Sequence, residues 1–152
     1  MYSKILVAVD ESGTSQHALK HAIELARKLS ATLRMVHVLD MSWLPIGPEV
    51  AIDTAALSEA RRGVGEKTIA AARETARALE FEAEGVLIET EIPIQHVAEA
   101  IAMEASRWGA DLVVLGTHGR RGFQHLMLGS VAEQTVRRSS VPVLLIPAPK
   151  AA

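Results

Sequence analysis

The stretch from Asp111 to Pro147 leaves this chain little choice of fold. An apolar run, Leu112 to Leu115, halts at Gly116, and a basic loop follows with glycines at 116, 119 and 122. Leu128-Gly129-Ser130 then opens a segment of helical spacing, and Val143 to Ile146 reads as a last strand. Strand, glycine-rich loop, helix start and strand, in that order, make a phosphate-cradling α/β unit. Glycines admit positive φ and let backbone amides approach a ligand with no Cβ in the way. Successive amides in such turns form concavities that hold anions. At Gly129-Ser130 the free N–H groups and the positive dipole end of the next helix face one point. Ser130 adds a hydroxyl, while Arg120, Arg121 and His118 bring positive charge. A glycine turn with a serine cap and solvated arginines is the plainer account of the same residues.

The rest of the chain repeats the alternation of strand and helix. Lys4 to Val9 is a short β-branched run ending at Asp10, suited to a strand buried on both faces. Glu11-Ser12-Gly13 makes the turn, and Thr14 or Ser15 is placed to cap the helix that follows. Ala18, Ala22, Leu25, Ala26 and Leu29 fall on one face of that helix. Leu33 to Leu39 is the second strand, which favours a right-handed parallel crossover. Asp40 to Ala51, with Trp43, Pro45, Gly47 and Pro48, reads as an irregular loop. A long helix is expected over Asp53 to Leu79, weakened at Gly63 and Gly65. A strand at Val86 to Thr90 and a helix at Ile94 to Trp108, with Val97, Ala98, Ile101 and Ala105 inward, complete the pattern. Five strands alternating with four helices predict a single-domain, doubly wound α/β parallel sheet with helices on both faces.

Composition narrows the function classes. The chain has 152 residues, the length of one domain, so residues 1–152 are read as a single unit. With 49% hydrophobic and 22% charged residues it is globular. A net charge of −2 gives no case for nucleic acid or a membrane surface as principal partner. There is no cysteine, which removes disulfides and thiolate chemistry. No apolar run approaches the roughly 18 residues of a membrane span, and the run Ile5–Val9 is too short for a signal peptide, so a cytoplasmic location is expected.

The spacing of the glycine loop carries a more specific message. Gly116, two residues, Gly119, nine residues, then Gly129-Ser130 resembles the G-x2-G-x9-G-[S/T] signature of the ATP-binding branch of the universal stress protein family. VAVDESGTSQHALKHAIELA at the start and VPVLLIP at the end extend the resemblance over essentially the whole chain, most weakly between Met41 and Ala60. The resemblance implies strand order 3-2-1-4-5 in an adenine-nucleotide alpha-hydrolase-like fold. It further implies a dimeric regulatory or stress-response protein that binds ATP, or AMP or ADP, with magnesium. With that strand order the winding reverses between the first and fourth strands, where open α/β sheets bind ligands. Asp10 and Gly116 then stand on opposite lips of one crevice, the acid at the nucleoside end because it would repel phosphate. Carried over position by position, Val38 would flank the adenine. Gly116, Gly119, Gly129, Ser130 and Val131 would meet phosphate and ribose, largely through backbone amides. His118, like Arg120, occupies a loop position whose side chain could reach phosphate or point to solvent. Val143–Ile146 falls at a sheet edge, and an exposed apolar edge is normally covered. Pairing with the same strand of a second chain covers it and makes a two-fold homodimer. The protein partner that such a regulator would contact is not legible.

Other motifs carry less. Gly63 to Thr68 lacks the GK[ST] adjacency of a phosphate-binding P-loop, and no dinucleotide fingerprint follows the first strand. His17 and His21, one helical turn apart, have no third metal ligand nearby in sequence and read as a solvated pair. His37 reads as a satisfied core or crevice histidine, and Trp43 and Trp108 as packing residues. No catalytic constellation is legible, so slow ATP hydrolysis would need only a metal and a positioned water. The alternatives are an interaction module of the same fold without a nucleotide, a slow ATP hydrolase, and a phosphoryl-accepting receiver domain. The last lacks an aspartate at the end of its third strand.

Overall fold

The computed structural model describes residues 1–42, 54–90, 95–118 and 127–150. Among them, strands β1 (Lys4–Ala8), β2 (Thr32–Leu39), β3 (Glu84–Glu89), β4 (Leu112–Gly116) and β5 (Val143–Ile146) form one parallel sheet. Their order is β3-β2-β1-β4-β5, as the resemblance implied. The helices are α1 (Gly13–Leu29), α2 (Thr54–Ala78), α3 (Val97–Trp108) and α4 (Ser130–Arg138). The expected loop residues Trp43, Pro45, Gly47 and Pro48 lie outside the described residues. None of the described helices is long and apolar enough to cross a membrane.

Strand alternation divides the core into two layers. Ile5, Val7, Leu33 and Met35 pack with Leu19, Ile23, Ile69 and Ala72 on the side of α1 and α2. Leu6, Val36, Val38 and Val113 pack with Ala100, Ile101 and Ala105 of α3 on the other side. Ile5, Leu6 and Val7 are wholly buried, so a central strand covered on both faces has no polar position to offer. That is why β1 reads as an unbroken apolar run.

Three local expectations need correction. The cap of α1 is Ser12, whose hydroxyl accepts the Ser15 amide at 3.1 Å, because the helix begins earlier than expected, at Gly13. Ser15 turns inward, and Thr14 lies in the first turn. Leu29 is 40% exposed, and Leu19 and Ile23 take the buried stripe in its place, because the stripe rotates as the helix runs over the sheet. Third, α2 is not weakened at Gly65; a Cβ there would come within 2.8 Å of Leu39 and 2.9 Å of Leu87, so the glycine lets helix and sheet close up.

Trp108 is a packing residue with a polar neighbourhood. The Arg34 guanidinium lies 4.5 Å from its ring centroid and the Lys4 ammonium 5.3 Å. Arg34 also pairs at 2.7 Å with Glu84 and with the buried Glu104, which Arg107 joins at 2.7 Å. This network ties α3 to β2 and β3. At the sheet edge, Leu144 of β5 is 38% exposed, and Val136 of α4 is exposed as well.

Candidate functional site

The carboxyl end of β1 is fixed residue by residue. The Val9 amide donates to Val36 O at 2.8 Å, and Val9 O accepts from His37 Nδ1 at 2.7 Å. A carbonyl can only accept, so His37 carries its proton on Nδ1. His37 is thus a satisfied, buried strand histidine. The Asp10 amide donates to the Ser15 hydroxyl at 2.8 Å, and Asp10 Oδ1 accepts the Ser12 amide at 2.7 Å. These bonds fold the turn back on itself and hold the carboxylate at the strand end. Oδ2 has no hydrogen-bond partner among the described residues.

Gly116 ends the neighbouring strand. A Cβ on it would lie 2.8 Å from Thr14 Cγ2, so the first turn of α1 rests against the end of β4. Asp10, at the start of that turn, and Gly116 therefore stand at the carboxyl ends of β1 and β4, where the sheet's winding reverses. Val38, 7% exposed, lies late in β2 on the α3 side, paired in register with Ile88.

Beyond Gly116 the backbone is drawn into a second turn. The Thr117 amide donates to Ile146 O at 2.9 Å, which ties it to β5. Thr117 Oγ1 meets His118 Nδ1 at 2.9 Å, and His118 Nε2 meets Met127 O at 2.6 Å. The Gly129 amide donates to Thr117 O at 2.8 Å, and Gly129 O accepts the Glu133 amide. Gly129 is the N-cap of α4 and supplies no side-chain cap. Among the described residues nothing accepts the amides of Ser130, Val131 or Ala132. An uncapped first turn with three open donors is a place for an anion. Ser130 and Val131 are exposed. Gly119 and Arg120 lie outside the described residues, as do Arg121 and Gly122.

Sequence reasoning placed Ser12 in the turn and Thr14 or Ser15 at the cap without their actual contacts, and it missed Thr117 and Met127 as residues that hold this arrangement. Two serines three apart just after a strand signal a cap, but they do not say which one turns inward. His17 and His21 meet edge to face with centroids 4.6 Å apart, well along α1 from Asp10. A cavity of about 240 Å³ opens against the Asp10–Glu11 turn, between α1 and α2, with Asp10, Ser15, Leu19, Lys67 and Thr68 in its walls. It is smaller than the ~300–1,000 Å³ of ordinary ligand sites.

Comparison with known proteins gives a consistent result. Residues 1–147 match the model of the universal stress protein family. A universal stress protein of Methanocaldococcus jannaschii is 33% identical over 150 residues, covering 99% of this chain and 85% of its own length. The crystal structure of a universal stress protein family member from Burkholderia pseudomallei superposes with a TM-score of 0.78 at 36% identity, covering 97% of both chains. The universal stress protein of Archaeoglobus fulgidus, solved in complex with dAMP, has a TM-score of 0.64 at 25% identity, covering 95% of this chain and 98% of its own.

Proposed function

This chain belongs to the universal stress protein family, and we propose that it serves there as a cytoplasmic, dimeric regulator that binds ATP or a related adenine nucleotide. The observation that carries the reading is the open first turn of α4. Among the described residues its amides at Ser130, Val131 and Ala132 have no acceptor, and they lie at the end of the sheet where Asp10 stands. Phosphates take the α4 amides and the Ser130 hydroxyl, and Gly116 belongs to the same proposal through its place in the signature. The free Oδ2 of Asp10 accepts hydrogen bonds from ribose hydroxyls, and Val38 contributes apolar surface to the adenine. Gly119 and Arg120 belong to the same proposal as phosphate contacts by virtue of their place in the signature. Magnesium would enter with the phosphate chain, neutralising charge that the protein's own donors do not meet. The dAMP bound by the Archaeoglobus fulgidus relative supports the ligand class.

The second half of the proposal is the dimer. Strand β5 lies at the end of the sheet with Leu144 exposed on it, and pairing Val143–Ile146 with the same strand of a second copy would cover that edge. The nucleotide state would then alter what the dimer presents to a protein partner.

The test is direct. Incubate purified protein with ATP and magnesium, desalt, denature, and identify released nucleotide by chromatography over time. Intact ATP near one per chain is expected. ADP accumulating beyond one equivalent would make the protein a hydrolase, and no nucleotide, with direct titration also silent, would leave an interaction module.

A further inference from the structure

We infer that His118 is a positioning residue, a strut that aims the amides of α4, and not a side chain that grips phosphate; this rests on the nucleotide-binding reading above. Its Nε2 lies 2.6 Å from Met127 O. The carbonyl can only accept, so Nε2 carries the proton. Nδ1 meets the Thr117 hydroxyl 2.9 Å away, which donates to it in the neutral ring and accepts from it in the charged one. Both ring nitrogens are engaged within the protein. An imidazole has no third polar atom left for a phosphate oxygen.

The strut gains its leverage from what lies on either side. Thr117 is fixed to β5 through its amide at Ile146 O, and its own carbonyl receives the Gly129 amide at 2.8 Å. Two consecutive residues, Thr117 and His118, thus hold Gly129 and Met127 respectively. One such bond would fix the distance between the end of β4 and the start of α4 while leaving the helix free to pivot. Two bonds fix its direction as well. Gly129 makes the approach possible, since a Cβ there would sit 2.8 Å from Thr117 O and 3.4 Å from His118 Cα. The result is that the open amides of Ser130 and Val131 are aimed before any ligand arrives. Donors that are already oriented bind more tightly because no ordering is paid for on binding.

The two roles make different demands on the side chain. A strut needs an N–H donor that reaches Met127 O; a phosphate-gripping cation needs charge. Glutamine supplies the donor without charge, and lysine supplies charge without a planar donor at that reach. The experiment measures ATP affinity by calorimetry for the wild type and for His118→Ala, His118→Gln and His118→Lys. It adds amide hydrogen exchange at Gly129, whose N–H is bonded to Thr117 O, and imidazole nitrogen shifts, in the nucleotide-free protein. Loss of one hydrogen bond of this kind should weaken ATP binding about tenfold in the alanine and lysine variants. The glutamine variant should stay within about threefold of wild type, and adenosine affinity should be the same in all four. Without nucleotide, His118 should carry a proton on Nε2, and exchange at Gly129, whose amide is bonded to Thr117 O, should quicken in His118→Ala. Retained affinity in His118→Lys with loss in His118→Gln would overturn the strut, as would unchanged exchange in His118→Ala. The exchange and tautomer measurements need no nucleotide, so a wild type that binds none would sink the binding reading and still leave the strut decided.

Discussion

The Gly129 amide nitrogen lies 2.8 Å from the Thr117 carbonyl oxygen, and a Cβ on Gly129 would fall 2.8 Å from that same oxygen. The hydrogen bond and the missing side chain are two sides of one contact. Gly129→Val cannot keep both the bond and the position of α4. ATP affinity should fall by tenfold or more, while the circular dichroism spectrum stays that of the wild type, because the sheet and the other helices do not depend on this contact. Calorimetry that finds wild-type affinity in this variant would remove the phosphates from α4.

Asp10 and Ser130 should separate the two ends of the ligand. Asp10→Ala removes the acceptor proposed for the ribose, so affinity for adenosine and for ATP should drop together, each by about tenfold. Ser130→Ala removes only a phosphate donor and should weaken ATP alone, by a few-fold. Parallel titrations with adenosine, AMP and ATP read the difference. Equal losses for both variants on adenosine would mean that the nucleoside end has been misplaced.

Strand β5 offers a test of assembly. Leu144 is exposed on it, and a charge at that position would have to be buried in a paired edge. Leu144→Lys should shift the protein from dimer to monomer in sedimentation velocity with its secondary structure intact. A wild type that sediments as a monomer at micromolar concentration would refute the β5 dimer outright.

Glu104 is 5% exposed and shared by Arg34 and Arg107. Glu104→Ala leaves the Arg34 guanidinium, itself only 11% exposed, without one of its partners. Breaking a buried pair on one side costs about 3–5 kcal/mol. Glu84 and Trp108 still hold Arg34, so the loss in urea unfolding should sit at the lower end, about 3 kcal/mol. A loss under about 1 kcal/mol would class this network with ordinary surface ion pairs.

At the amino-terminal end of the sheet, Asp111 accepts the Ser3 amide at 2.8 Å, the Ser3 hydroxyl at 2.9 Å and the Lys4 amide at 3.0 Å. Burial pushes its carboxyl up, but these hydrogen bonds outweigh it and hold the group below its ordinary 3.8. A depressed carboxyl contributes stability above its unfolded pKa and loses it as pH falls through the folded value. Asp111→Asn should therefore lower stability at neutral pH and flatten the decline below about pH 4. Urea midpoints at pH 3, 4 and 7 give the comparison; an unchanged acid slope would show that other carboxylates govern it.

Much of the fold was legible because the signals are local. The apolar run of β1 announces a strand covered on both faces, and the helical spacing of α1 and α3 announces which way they pack. The boundaries shifted where a side chain had two uses. Ser15 reads as a cap on paper, and the strand end behind it, with an Asp10 amide to satisfy, turns it inward and leaves the cap to Ser12. Leu29 fits a helical stripe, yet as the last residue of α1, beside the Ser30 C-cap, it is 40% exposed.

By itself, the sequence determined the strands, the helices and the glycine spacing that points to the family, since apolar period and glycine position are properties of neighbouring residues. Which polar atoms remain free was decided only by the tertiary structure. His118 reads along the chain as a charge able to reach phosphate, and in the fold both its nitrogens are engaged, one by Met127. Gly129 reads as a donor for a ligand, and its amide belongs to Thr117. Among the described residues the donors left open are those just after it, because hydrogen-bond satisfaction depends on which distant segments the sheet brings together.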